Sequence, residues 1–189
     1  TKDDIAQLQA AGYRETTLVR LEPDDITEDI AAQKMADAVV ADTTVSLGAA
    51  GTGRVNIYAA VRGLFVLPVD RLNAINAIDE AVTLSTIEPF ASVEPGQLVA
   101  TVKIIPFAVR HDTLSACETA AKKVKGLFRI AEYRPQKIGL LQTTLANIPE
   151  KLVTKGEEVT AARLIAMGLT LDEALVCPHE ELAIRESLK

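Results

Sequence analysis

The residues best suited to chemistry lie in "LLQTTLANIPEKLVTKGEEVTAARL", Leu140 to Leu164. Gln142, Thr143 and Thr144 end an apolar run that reads as a parallel strand, and they fall at its carboxyl end. Lys151 and Lys155 read as part of the loop before the next helix. Open α/β sheets bind ligands in the crevice outside the carboxyl ends of their strands. Hydroxyls, an amide, a lysine and free helix N–H groups are what a phosphate or a pterin-like heterocycle requires. An ordinary polar strand-to-helix loop with solvated lysines fits the same residues.

A second stretch, "SLGAAGTGRVNIYA", packs Gly48, Gly51 and Gly53 ahead of Arg54. Its G-x-x-G-x-G spacing is neither the G-x-G-x-x-G of a dinucleotide site nor the G-x-x-x-x-G-K-[ST] of a P-loop. The segment "RVNIYAAV" after the glycines is strand-like, so no helix N-terminus is aimed at a ligand, and the spacing predicts a turn with positive φ. Arg54 and Asn56 alternate with Val55 and Ile57, which puts the two polar side chains on one face. That face suits an anion site or plain solvation. The acidic cluster Asp24, Asp25, Glu28 and Asp29 could hold Mg²⁺, but carboxylates in a first helical turn are explained by the helix dipole alone, so no metal ligands are assigned. Lys103 interrupts an apolar strand, as an edge residue that discourages aggregation or as the cation of a buried site. His111 beside Asp112 reads as part of a helix cap.

Positioning these groups requires two kinds of structure. "TKDDIAQLQAAGY" reads as a helix capped by Thr1, "ETTLVRLE" as a strand, and "PDDITEDIAAQKMADAVVAD" as a helix capped by Asp24 or Asp25 with Ile26, Ile30 and Met35 at helical spacing. From Thr43 to Val109 strand-like segments dominate, broken by the helix "DRLNAINAID" capped by Asp70 and by turns at Gly63, Pro68 and Pro95-Gly96. They predict a mixed sheet or small barrel. Beyond His111 comes the helix "DTLSACETAAKKVKG", closed by Gly126, and the strand "LFRIAEY". Arg134-Pro135 makes a break. Then "KIGLLQTTL", "EEVTAARLIAMG", "EALVCP" and "HEELAIRESL" alternate strand and helix, the pattern of a parallel α/β unit with buried strands. The expected division is an α+β region over 1–134 with a β-rich middle, followed over 135–189 by the opening βαβα of a parallel α/β domain, cut short as in a fragment.

Composition narrows the partners. Of 189 residues, 48% are hydrophobic, enough for a real core. With 26 acidic against 20 basic residues and a net charge of −6, non-specific attraction to nucleic acid or anionic membrane is disfavoured, and any anionic ligand needs a local positive site. Aromatic residues at 4% are too few for stacking platforms on single-stranded nucleic acid. No apolar run approaches the ~20 residues that span a bilayer, so a cytoplasmic protein is expected. Cys117 and Cys177 lack metal or disulfide spacing and read as buried small hydrophobes. With His111 and His179 as the only histidines, no catalytic dyad can be assembled.

The stretches "LVRLEPDDITEDIAA", "GTGRVNIYA", "EPGQLVATVKIIPFAV" and "RPQKIGLLQTTL", taken in order along nearly the whole chain, resemble the molybdopterin-binding proteins related to the molybdopterin molybdenumtransferases. The resemblance implies an N-terminal α+β region before a molybdopterin-binding α/β domain, and some similar members continue into a nucleotidyltransferase domain of molybdenum cofactor maturation. It makes "KIGLLQTTL" the first strand of that domain, with Thr143 and Thr144 in its first ligand loop and Lys155 just before its first helix. The cofactor-binding set is then Gln142, Thr143, Thr144, Lys155 and Arg54. The ligand implied is molybdopterin or a related phosphate-bearing pterin; Mg²⁺ as a cofactor and a homo-oligomer are further expectations beside it. Where wider relatives place an Asp before the first helix, this chain has Thr154, and the family's glycine-rich loop and acidic residue belong to later strands. The competing expectation is a scaffold or oligomerisation module with no ligand.

Overall fold

The computed structural model describes residues 1–17, 19–40, 42–122, 127–134 and 136–189. Helix α1 (Lys2–Ala10) starts where Thr1 accepts a hydrogen bond from the Asp4 N–H at 3.2 Å, and it buries no residue. The described residues of 15–22 form no strand. Their side chains are exposed, so nothing pairs with or covers them. The next helix begins later than expected. Asp25–Thr27 forms strand β1, paired antiparallel with β8 (Ala108–Arg110), and α2 covers Glu28–Val39. Ile26 therefore faces Val109 across a ladder and Ile30 is exposed. The inward face of α2 is instead Ala31, Ala32, Met35, Ala36 and Val39, all fully buried. Alanines let the helix lie close to its sheet, and burying Met35 contributes about 1.5–3 kcal/mol.

That sheet has the order β2-β3-β7-β5, antiparallel throughout: β2 (Val45–Leu47), β3 (Arg54–Ala59), β5 (Val82–Thr86) and β7 (Leu98–Ile104). Val55, Ile57, Val102, Ile104, Val82 and Leu84 alternate onto the buried face, against which α2 packs, and α4 (His111–Lys122) packs in turn against α2. The chain also forms β4 (Gly63–Val66), α3 (Val69–Asn76), β6 (Ser92–Val93) and β9 (Arg129–Glu132), and β6-β4-β9 make a second antiparallel sheet. Phe65 of β4 meets Phe128 with ring centroids 5.7 Å apart inside the same core. These are separate open sheets, and the barrel expectation fails because no ladder joins their edges among the described residues. Pro68, rather than Asp70, occupies the N-cap of α3, without a side-chain bond. Edge strand β5 is protected by Asn76, whose amide donates to Leu84 O at 2.9 Å and accepts from Leu84 N at 2.8 Å. The expected closure of α4 at Gly126 and the break at Pro135 lie outside the described residues.

Strand β10 (Gly139–Thr144) and β11 (Glu173–Pro178) pair in parallel, connected by α5 (Glu150–Ala166), and α6 (Glu181–Ser187) comes after them. This is the expected strand and helix alternation. The expected burial of its strands is not met: of the two, only Cys177 is buried, while Leu175 and Val176 are exposed, because two strands and two helices cannot cover both faces of a parallel sheet. Both cysteines are free and buried, as their composition implied.

Candidate functional site

The carboxyl ends of β10 and β11 lie side by side. The register pairs Thr143 with Cys177 and Thr144 with Pro178. His179, the next residue, donates its backbone N–H to Thr144 O at 2.9 Å, and its Nδ1 lies 2.8 Å from Thr143 Oγ1. At the opposite end Asp172 closes the ladder, its carboxylate accepting from Ile138 N at 2.8 Å. Tied at both ends, the pair presents a crevice of about 520 Å³ lined by Thr144, Leu145, Ala146, Ile148, Pro178, His179 and Glu180. That volume suits a small organic ligand. Polar groups at its mouth are the Thr144 hydroxyl, the His179 ring and the Glu180 carboxylate. The last of these disfavours an anion placed against it.

Not all of the expected set converges here. Thr144 lines the crevice, and Thr143 adjoins it through its contact with the His179 ring. Gln142 points to α5 instead: a Cβ on Gly156 would lie 2.4 Å from Gln142 Oε1, and Gln142 Nε2 is buried without a partner. Lys151 and Lys155 are not in a loop. Pro149 takes the N-cap position and α5 runs from Glu150, so Lys155 is exposed in its second turn. Nothing between Glu150 and Lys155 breaks a helix, and Gly156 is tolerated within it. No side chain caps α5, which leaves its first N–H groups available. Arg54 belongs to β3, in another sheet. His179 carries no signal of its own in the sequence, since a lone histidine forms no dyad. The strand-end rule used for "GLLQTT" finds it when applied to "EALVCPH".

The glycine stretch is a turn, as its spacing predicts. Gly51 and Arg54 exchange both backbone hydrogen bonds, at 3.0 and 3.1 Å, and the central residues have φ of 52° at Thr52 and 66° at Gly53. Positive φ at both positions marks the type I′ hairpin, whose twist matches the flanking strands. The acidic cluster serves this architecture: Asp29 Oδ1 accepts from Gly53 N at 2.8 Å, and Asp25 Oδ2 accepts from Glu22 N at 2.8 Å. Among the described residues no group of three or more His, Cys, Asp or Glu is arranged to hold a metal ion. Lys103 lies on β7, between β3 and β5, so it is no edge residue. Asp112, inside the first turn of α4, pairs with Arg110 at 3.2 Å and accepts from Thr113 N at 2.9 Å; neither contact is a helix cap. The hydrogen bond to Arg110 holds the Asp112 carboxyl below its ordinary range and raises Arg110. Burial pushes the Cys117 thiol up, away from reactivity. No helix among the described residues is long and apolar enough to cross a membrane.

No family model, curated protein or solved structure matches this chain.

Proposed function

We propose that the protein takes part in molybdenum cofactor biosynthesis or handling, binding molybdopterin or a related phosphate-bearing pterin at the carboxyl ends of β10 and β11. The observation that carries the reading is the parallel pairing that brings Thr144 and His179 to one crevice, with Thr143 bonded to the His179 ring, at the strand ends where an α/β unit places ligands. The sequence resemblance supplies the ligand class. The donor set fits a polar heterocycle: the Thr144 side chain and the His179 ring nitrogen not engaged by Thr143 can hydrogen-bond a ligand, and α5, which follows in the chain, has no side-chain cap. In this reading the chain's own residues orient the pterin and neutralise its phosphate. No bond-making step is assigned to them.

Binding is tested by titrating the protein with molybdopterin and following its thermal midpoint. A ligand specific for the folded state at 100 times its Kd stabilises by about 2.7 kcal/mol. A rise that disappears in Thr144→Val with His179→Ala supports the reading, and no rise at saturating ligand overturns it. A second reading, a ligand-free oligomerisation module, is favoured by the apolar side chains this unit leaves open: Leu145 at 63%, Val176 at 53%, Leu182 at 68% and Leu188 at 71% exposure. It predicts a concentration-dependent sedimentation coefficient that leucine-to-serine changes abolish, with no response to the pterin.

A further inference from the structure

We propose a second anion site, independent of that reading, on the outward face of the β2-β3-β7-β5 sheet, with Arg54 and Lys103 as its cations and a small phosphate-bearing molecule as its ligand. Arg54 pairs directly with Lys103 across β3 and β7, and Lys103 with Thr83 across β7 and β5. The next outward rung is Asn56, Thr101 and Ser85. Their neighbours in sequence, Val55, Ile57, Val102 and Ile104, are buried on the other face, so these polar side chains share the solvent side.

Two observations point to a ligand. Directly opposed residues in an antiparallel ladder hold their Cβ atoms about 4.5–5.5 Å apart, where like charges destabilise the sheet. Arg54 and Lys103 occupy such a pair, and neither makes an ion pair within 4 Å among the described residues. In a chain with 26 acidic and 20 basic residues, the outward positions of β3, β5 and β7 carry two cations and no carboxylate. Glu28 and Asp29 flank the turn at Gly53, and Asp29 is already engaged by the Gly53 N–H. A doubly charged anion would bridge the two cations and remove their repulsion. The rung beside them is pre-oriented for polar contact. Asn56 Oδ1 accepts from Thr101 Oγ1 at 3.1 Å, while Asn56 Nδ2 donates to Tyr58 Oη at 3.3 Å. The Tyr58 ring lies against Gly48, where a Cβ would stand 3.3 Å from the ring. A phosphate monoester or a diphosphate fits this arrangement of two cations, hydroxyls and a fixed amide.

The probe is inorganic pyrophosphate at low ionic strength, added to the whole chain with backbone amide shifts as the readout. Saturable shifts at residues 54, 56, 101 and 103 are expected, weakened at least tenfold in Arg54→Gln with Lys103→Gln and unchanged in Thr144→Val. Lys103→Thr is further expected to raise the thermal midpoint at low salt while abolishing the rise that pyrophosphate gives the parent protein. Shifts that survive the double substitution, or that lie at the β10 and β11 strand ends instead, overturn the proposal. A response of the same rungs to a short single-stranded oligonucleotide but not to pyrophosphate overturns the small-ligand assignment.

Discussion

Replacing Gly53 with alanine tests whether the glycine stretch is a structural hairpin. Two penalties act at this position. Its φ of 66° lies in the left-handed region, which costs a non-glycine residue roughly 1–2 kcal/mol. A Cβ would stand 2.7 Å from the Ile104 carbonyl oxygen, so two paired backbones must separate, and local strain of that kind costs of order 1–3 kcal/mol. Allowing for relaxation, Gly53→Ala should destabilise by about 2–4 kcal/mol, a fall in midpoint of roughly 5–15 °C for a chain of this size. The assay is thermal and urea unfolding monitored by far-UV circular dichroism. Gly51→Ala is the control, since a Cβ there meets nothing within 4 Å, and it should stay within ~0.5 kcal/mol of the parent. Thr52→Asn relieves the other positive φ, 52°, and should stabilise by a few tenths to ~1 kcal/mol. A Gly53→Ala protein as stable as the control would refute the hairpin account.

Asn76→Ala should cost about 1–3 kcal/mol, because the Leu84 N–H and C=O lose both side-chain partners at a half-buried edge; hydrogen exchange at Leu84 should rise with it. Gly156→Ala gains up to ~1 kcal/mol of helix propensity, and its cost falls on Gln142, a flexible side chain whose Nε2 has no partner. It should be neutral to stabilising by thermal melting, and a clear loss would mean that the Gln142 seat matters. The Asp112 carboxyl is held low by Arg110, so the stability it contributes is complete above the ordinary carboxylate value near ~3.9 and is lost as pH falls through the lowered folded value. Asp112→Asn should remove that part of the acid dependence below pH ~4 without altering the profile near neutrality, as read from acid titration of the folded signal.

The parts of the fold that local chemistry determines are legible in the sequence. Thr1 caps α1, the glycine spacing gives a turn, and "GLLQTT" and "EALVCP" form parallel strands with helices after them. The features that escape sequence reading depend on partners distant in the chain. Ile26 has helical spacing with Ile30, yet pairing with Val109 draws residues 25–27 into a strand. Lys103 resembles an edge residue until β3 and β5 flank it. Lys155 resembles a loop residue because the helical pattern is plain only from Glu157, whereas Pro149 starts the helix roughly two turns earlier. Of the candidate site, the two threonines are legible from strand-end position. His179 and the separation of Arg54 from them require the register and the sheet order.

The central claim, a pterin-binding crevice at the ends of β10 and β11, is tested most directly by amide shift mapping of the whole chain titrated with molybdopterin. The account predicts saturable shifts at Thr143, Thr144, His179 and the first turn of α5, lost in Thr144→Val with His179→Ala. Shifts absent from these residues, or unaltered in that variant, would contradict it.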